Sequence, residues 1–185
     1  MTLKKIISGG QTGADQGGLE AGKELGLETG GQAPLGWKTE RGPQEKLLQS
    51  FGLIQHWSSN YDKRTEANVL NSNGTVIFGN HSSAGSKLTA RLCLKHHKPC
   101  LLISTDALNE MLQPKNLVET FRAELNSRLI SEERAERWGT SNSLPDFIRH
   151  HNLIVLNVAG NRESYNPGIQ ERVKNFLVQA LKGDK

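Results

Sequence analysis

Apolar residues recur along this chain in short runs, separated by stretches of helical periodicity. Residues 4–8, 75–78, 100–103 and 153–157 form four such runs, and residues 53–57 form a weaker fifth. None shows the polar alternation of a half-exposed strand, so each is predicted to be a strand buried on both faces. Buried strands that alternate with helices predict an α/β fold, with a mostly parallel sheet and helices on both faces.

The segments between these strands carry the predicted helices and one irregular stretch. Helices are predicted around residues 19–25, over residues 61–71 with Asp62 as the N-cap, and from the loop at 79–85 to residue 98. A terminal helix is predicted from the apolar stripe formed by Ile169, Val173, Phe176, Leu177 and Ala180. Residues 29–43 are rich in Gly and Pro and are predicted to be irregular. Residues from about 106 to 150 are predicted to be a helical elaboration within one domain that spans residues 1–185.

The composition and charge of the chain limit the classes of partner that it is expected to bind. The formal net charge is +4, but Lys and Arg are scattered among acids, so the basic stripe of a nucleic-acid-binding protein is missing. No apolar run has the length of a membrane span or the form of a signal-peptide core. Cys93 and Cys100 form no metal-binding pattern and are predicted to be buried, reduced thiols. We therefore expect a cytoplasmic protein with a small-molecule ligand and no membrane partner.

Three loops of unusual composition follow predicted strands, at the edge where parallel sheets bind ligands. Glycines let backbone N–H groups approach an anion, and the start of the next helix adds partial positive charge. Arg162 adds a cation suited to phosphate. The candidate ligand-binding residues are Gly9, Gly10, Gln11, Thr12, Gly13 and Asp15 in the first loop, Gly79, Ser83, Gly85, Ser86 and Thr89 in the second, and Asn157, Gly160, Arg162, Glu163 and Ser164 in the third.

Each loop also has a purely structural interpretation. Asp15 could be an acid at a helix start, Ser86 an N-cap, and Arg162 an ion-pair partner of Glu163. A fourth cluster shares one helix face and could either reach over the cleft or be solvated. Its members are Tyr61, Arg64, Thr65 and Asn68.

Together these segments resemble the family of candidate molybdenum cofactor carriers, which are circularly permuted relatives of the lysine-decarboxylase-like LOG proteins. The resemblance rests on Gly-Gly-Gln-Thr-Gly-Ala-Asp at residues 9–15, on the helix of the fourth cluster with Asn73-Gly74-Thr75 after it, and on residues 157–168. The stretch from Ala33 to Gly42, which includes Glu40, fits as well. The similarity covers residues of about 4–104 and 152–180.

The resemblance implies a Rossmann-like, nucleotide-binding type of sheet and a homo-oligomer. It also implies a pocket for the phosphate of the molybdenum cofactor (molybdopterin), with the metal held by the pterin dithiolene and a molybdoenzyme as acceptor. The chain departs from the family pattern at Asn73, where an Asp is common, and at Gly85-Ser86, where a second Gly-Thr step is common. The long segment at about 106–150 is a further departure, so the order of the oligomer is left open.

The sequence leaves three functions open. The first is a non-catalytic carrier of a phosphate-bearing cofactor, which the motifs favour. The second is a phosphoribohydrolase that releases a base from a nucleoside monophosphate, as some LOG relatives do with a Gly-Thr-x-x-Glu motif. Here Thr89 stands in the place of that acid, and a hydroxyl cannot act as a carboxylate would, although Asp15, Glu20 or Glu163 could substitute. The third is a nucleotide-sensing or purely structural domain.

Overall fold

A computed structural model describes residues 3–105, 108 and 143–182 of the chain. The strands are β1 (Lys5–Ser8), β2 (Glu28–Ala33), β3 (Lys38–Thr39), β4 (Gly42–Pro43), β5 (Leu53–Gln55), β6 (Gly74–Phe78), β7 (Cys100–Ile103) and β8 (Val155–Gly160). The helices in these residues are α1 (Ala14–Glu24), α2 (Glu45–Ser50), α3 (Tyr61–Leu70), α4 (Ala84–Lys95), α5 (Leu144–His150) and α6 (Ile169–Lys182). Each of these helices is too short or too polar to cross a membrane.

Six of the strands form one parallel sheet in the order β5-β2-β1-β8-β6-β7, and β3 and β4 form a separate antiparallel hairpin. The chain builds outward from β1 to β5 and then crosses to β6 and β7 on the other side. β8 is the last strand in sequence and fills the gap, with Asn157 opposite Ile7 on one side and Thr75 on the other. The strand order therefore reverses around β8, where an open α/β sheet leaves a crevice at its carboxyl edge.

Helices cover both faces of the sheet, which confirms the predicted fold class. Val76 and Phe78 of β6 join a core that includes residues of α1, α5 and α6. Ile77, which lies between them, packs in a second core with residues of α3 and α4. A third cluster around Leu48 and Leu53 supports the β5 end of the sheet. This layering holds the carboxyl ends of β1, β8 and β6 side by side.

The prediction of an irregular stretch at residues 29–43 is wrong. β2 and the β3–β4 hairpin lie there, although β2 has almost no apolar side chains to signal a strand. Gly31, at φ 120°, passes so close to β1 that an added Cβ would lie 2.1 Å from the carbonyl oxygen of Ser8. Backbone pairing with β1, rather than a side-chain pattern, makes this segment a strand. α2 is likewise absent from the sequence-based predictions.

Several predicted boundaries also shift. β8 begins and ends later than residues 153–157 because β1 and β6 both pair with Val158 and its neighbours. The N-cap of α3 is Asn60 rather than Asp62, since the Oδ1 of Asn60 accepts the N–H of Asp62 at 2.8 Å. α4 ends at Lys95, short of the predicted residue 98. Of the predicted elaboration at about 106–150, residue 108 and α5 are helical, and the rest lies outside the described residues.

The two cysteines are both buried and free, which confirms the prediction of reduced structural thiols. Cys93 lies in α4 and Cys100 begins β7, and both belong to the core between α3, α4 and the sheet. A hydrogen bond with the Cys93 side chain, together with burial, raises the pKa of Cys100 well above its ordinary value. A thiol in this state is a small hydrophobic group and not a nucleophile.

Candidate functional site

A cleft of about 750 Å³ opens at the carboxyl edge of the sheet, between α3 and α4. Cavities of roughly 300–1,000 Å³ are usual for small-molecule ligands. The cleft is lined by Gly9, Gln11 and Asp15 after β1, by Tyr61, Asp62, Arg64, Thr65 and Asn68 of α3, by Ser83, Ala84, Gly85, Leu88 and Thr89 at α4, and by Asn157, Val158, Ala159, Gly160, Asn161, Arg162 and Tyr165 at β8 and its loop.

The first turn of α4 faces this cleft. Ser83 is the N-cap, and its Oγ accepts the N–H of Ser86 at 3.3 Å. The N–H groups of Ala84 and Gly85 occupy the first two helical positions, where no carbonyl of the same helix can accept them. The start of a helix of twelve residues also carries partial positive charge. This turn is therefore the part of the cleft best suited to an anion.

Asn161 joins the loops that follow β6 and β8. Its Oδ1 accepts the N–H of Asn80 at 2.5 Å, and its Nδ2 donates to the carbonyl oxygen of Asn80 at 3.1 Å and to Ser83 Oγ at 3.2 Å. The side chain is buried. These bonds hold the start of the third loop, and with it the backbone of Arg162, near the first turn of α4. Within the described part of the chain the exposed Arg162 guanidinium donates no hydrogen bond, although it lies close enough to the Glu40 carboxylate to help lower the pKa of Glu40.

The amides of the first loop, in contrast, are used within the protein. The N–H of Ala14 donates to the carbonyl oxygen of Asn161 at 3.0 Å, and that of Gly13 to Oε1 of Gln170 at 3.3 Å. The N–H of Thr12 donates to a side chain of its own loop at 3.0 Å. The amides of Ala14 and Gly13 hold the loop to the segment after β8 and to α6, and that of Thr12 is used inside the loop, so these three amides do not form an open cradle for an anion.

A buried ion pair lies where the first loop meets α3. Nη1 of Arg64 is 3.6 Å from Oδ2 of Asp15, and both side chains are about nine-tenths buried. Burial raises the pKa of Asp15, and the Arg64 guanidinium lowers it only in part, so the net pKa lies above the ordinary 3.8. The guanidinium lies against Gly9, where an added Cβ would be 1.4 Å from Nη1. The charge of Arg64 is thus balanced inside the protein, whereas Arg162 is exposed and interacts with Glu40 only through its charge.

Glu40, in the turn of the β3–β4 hairpin, connects the first and third loops. Its carboxylate accepts hydrogen bonds from the hydroxyl of Thr12 and from the hydroxyl and N–H of Ser164, the last at 3.1 Å. Its own N–H donates to Oε1 of Gln11 at 2.9 Å. Burial raises the pKa of Glu40, but the bonds from Ser164 and Thr12 more than offset this, so its pKa lies below 4.5. The hairpin therefore fixes the spacing of the two loops.

Comparison with known proteins agrees with this architecture. The sequence model of the circularly permutated YpsA SLOG family matches residues 6–181. The chain belongs to that family. A crystal structure at 1.45 Å resolution of a candidate molybdenum carrier protein from Syntrophus aciditrophicus SB is similar, with 31% sequence identity and a TM-score of 0.71. The similarity covers 97% of this chain and 96% of that one. Among curated proteins, none matches.

The SLOG assignment confirms the resemblance that the motifs predict, and it accords with the topology. A permuted sequence order is visible here because the last strand, β8, lies in the middle of the sheet. The segment that follows β8 therefore reaches the same cleft as the loop after β1. Two segments about 150 residues apart in sequence contribute to one site, as Asn161 and Ala14 show directly.

The structure of this SLOG chain brings many of the predicted residues together, and their binding role stays a prediction. All four members of the cluster on α3 line the cleft, so this helix face is not simply solvated. The predicted residues that line the cleft are Gly9, Gln11, Asp15, Arg64, Asn68, Ser83, Gly85, Thr89, Asn157, Gly160 and Arg162.

The other predicted residues stand behind the cleft and hold its loops. Glu163 caps the start of α6, since its carboxylate accepts the N–H groups of Gly168 and Gln170. Gly79 allows the side chain of Asn161 to approach the chain closely. The residues in this group are Gly10, Thr12, Gly13, Gly79, Ser86, Glu163 and Ser164.

The sequence analysis missed Asn161, Asp62 and Tyr165 as residues of the cleft. Asn161 forms its bonds to residues about 80 positions earlier, and no local pattern reveals such contacts. The sequence pattern predicts Asp62 as a helix cap, and only its position beside Tyr61 indicates that it lines the cleft. The hydroxyl of Tyr165 accepts a hydrogen bond from Asn80 at 3.0 Å, again between distant segments.

Replacing Glu40 with Gln should destabilise the protein by about 1.5–3 kcal/mol at pH 7, because it removes charge-assisted hydrogen bonds. The folded-state pKa of Glu40 is below 4.5, so its contribution is present above pH 4.5 and is lost as the pH falls through the folded value. Urea unfolding of both proteins should show a difference in the free energy of unfolding that shrinks below pH 4.5.

Glu28→Gln is the matched control for Glu40→Gln. Glu28 is largely exposed and lies 3.8 Å from Lys5, so its loss should change the free energy of unfolding by no more than about 0.5 kcal/mol. A difference between wild type and Glu40→Gln that stays constant down to pH 3 would contradict the assigned role of this carboxylate.

Proposed function

We propose that this chain is a non-catalytic carrier that binds a phosphate-bearing cofactor, the molybdenum cofactor, in the cleft between α3 and α4. The observation that carries the proposal is the exposed first turn of α4, with Arg162 in the lining of the same cleft. Two amides, a helix start and an exposed cation therefore border one cavity that has the size of a cofactor. The name of the Syntrophus relative supports molybdenum as part of the cargo.

The energies involved suit a ligand that has more than a phosphate. A helix start contributes up to about 2 kcal/mol to anion binding, and a charged hydrogen bond from Arg162 contributes about 1.5–3 kcal/mol. Micromolar affinity requires roughly 8 kcal/mol. About 120 Å² of buried apolar surface would supply the remaining 3 kcal/mol or so. A flat ring joined to the phosphate would provide that surface within the cleft.

The position of Thr89 supports a carrier rather than a hydrolase. Thr89 lines the cleft where relatives with phosphoribohydrolase activity have a glutamate, and its hydroxyl donates to the carbonyl oxygen of Gly85 at 3.0 Å. A hydroxyl with this partner cannot accept a proton at neutral pH. Asp15 is the buried acid of the cleft, and its carboxylate is paired with the guanidinium of Arg64. In this proposal the chain assembles as a homo-oligomer and passes its cargo to a molybdoenzyme.

Arg162→Ala tests the proposal. The variant should bind added molybdenum cofactor about ten to a hundred times more weakly, because it loses one charge-assisted hydrogen bond. The measurement is retention of the cofactor on gel filtration, followed by its fluorescence, with thermal unfolding as a check on the fold. Arg91→Ala removes the same charge from an exposed position on α4 outside the cleft and should retain the cofactor as wild type does. Equal retention by both variants would overturn the assigned role of Arg162.

A further inference from the structure

The polar groups of the cleft that the protein itself leaves unpaired describe the ligand it can take. Most side chains in the lining are already satisfied. Asn68 bonds both backbone groups of Gln32, and Thr65 donates to the carbonyl oxygen of Tyr61. The remaining polar side chains with a partner inside the protein are those of Gln11, Asp15, Ser83, Thr89, Asn157, Asn161 and Tyr165.

Two charged side chains of the lining are left, and they have opposite signs. Within the described residues, the carboxylate of Asp62 accepts no hydrogen bond and forms no ion pair. The guanidinium of Arg162 donates no hydrogen bond, and its interaction with Glu40 is through charge alone. Arg162 lies with the first turn of α4, and Asp62 lies in the first turn of α3. The cleft is therefore suited to a ligand with an anion at one end and hydrogen-bond donors at the other.

An aromatic side chain lies next to the acid. Tyr61 lines the cleft and keeps 43% of its surface exposed. The guanidinium of Arg64 lies 5.6 Å from the centroid of its ring, and Arg64 is itself held by Asp15. This contact supports the Tyr61 ring from one side and leaves a surface on which a flat ring can stack.

We infer that Tyr61 and Asp62 determine which ring the cleft accepts, and that they select a heteroaromatic ring with a 2-amino-4-oxopyrimidine edge, as in guanine or a pterin. This inference rests on the proposed function, since it places the ring of the phosphate-bearing ligand. That edge has two adjacent N–H donors, which match the two oxygens of a carboxylate. Adenine instead presents an N–H donor beside a ring nitrogen that is an acceptor, and the acceptor would face the Asp62 carboxylate.

Calorimetric titration of the full chain with three stable probes tests the inference. The probes are guanosine monophosphate, adenosine monophosphate and ribose 5-phosphate. Guanosine monophosphate should bind about tenfold more tightly than adenosine monophosphate, because a matched pair of hydrogen bonds discriminates by at least that factor. Ribose 5-phosphate should bind more weakly than both, because it cannot stack.

Two substitutions separate the parts of the subsite. Asp62→Asn should bring the ratio of the two affinities to one or below, since an amide presents a donor and an acceptor. Tyr61→Leu should weaken both nucleotides about tenfold and leave ribose 5-phosphate unchanged. Glu45→Gln, which changes an exposed acid in the first turn of α2 outside the cleft, should leave every affinity as it is.

The outcomes of these titrations separate a failure of the ring assignment from a failure of the proposed function. If ribose 5-phosphate binds and is weakened by Arg162→Ala, but the two nucleotides bind equally, the ring assignment is overturned and the phosphate site stands. A preference that survives in Asp62→Asn also overturns the assignment. If none of the three probes binds, the proposed function falls and the ring assignment falls with it.

Discussion

Replacing Gly85 with Asp should abolish binding of a phosphate ligand and, at the same time, stabilise the folded protein. Gly85 lies in the first turn of α4, and an added Cβ there meets no atom within 4 Å. A carboxylate at this position repels a phosphate about 4 Å away by about 4 kcal/mol, close to a thousandfold in affinity. The same substitution removes a helical glycine and places an acid at a helix start, which together stabilise the fold by about 1 kcal/mol.

The control for this experiment is Gly85→Ala. It should give only the part of this gain that comes from the loss of the glycine, and it should bind ribose 5-phosphate as wild type does. Calorimetry gives the affinity and urea unfolding gives the free energy of unfolding for the three proteins. If Gly85→Asp keeps the wild-type affinity, the anion does not bind at the first turn of α4.

Replacing Gly13 with Ala should produce the largest loss of stability, about 3–5 kcal/mol. Gly13 has φ 85° and ψ −132°, a conformation that costs a side-chain-bearing residue roughly 1–3 kcal/mol. The added Cβ would lie 2.5 Å from the carbonyl oxygen of Asn161 and 2.6 Å from the nitrogen of Glu163, both of them backbone atoms. Separating the two loops would cost a further 1–3 kcal/mol or so. Thermal unfolding should show a midpoint lowered by about 10 °C.

Gly26→Ala separates the conformational cost of a positive φ from the cost of the steric clash between the two loops. Gly26 follows α1 at φ 71° and has no atom within 4 Å of an added Cβ, so only the conformational cost of about 1–2 kcal/mol applies. The difference between the two variants measures the close approach of the first loop to the segment after β8. Equal losses in both would show that this approach contributes nothing to stability.

Much of the fold could be predicted from the sequence because its central strands are made of buried apolar residues. The continuous apolar runs at residues 75–78 and 100–103 are typical of strands in a sheet that is covered on both faces. β2 could not be predicted in this way, since Gly31 is in the sheet through backbone pairing and has no side chain to reveal it. The central position of β8 could not be predicted from sequence patterning either, and only its pairings with β1 and β6 show it.

The sequence predicts which loops form the candidate site, but not which of their residues line the cleft and which hold the loops in place. Glycine-rich loops after strands do converge on one cleft, because parallel strands end at the same edge. The sequence could not show which amides are free. Gly13 and Ala14 donate to distant acceptors, whereas Gly85 lies in a turn without such partners. A glycine needed for close packing and a glycine in an open helical turn have the same appearance in sequence.

In the proposed complex the anion binds the first turn of α4 and not the loop after β1. Backbone amide chemical shifts of the full chain, followed during titration with ribose 5-phosphate, distinguish the two positions. We expect the amides of Ala84 and Gly85 to shift in proportion to occupancy, while those of Gly13 and Ala14 stay near their starting values. Large shifts at Gly13 and Ala14, with Ala84 and Gly85 unchanged, would instead place the anion at the loop after β1.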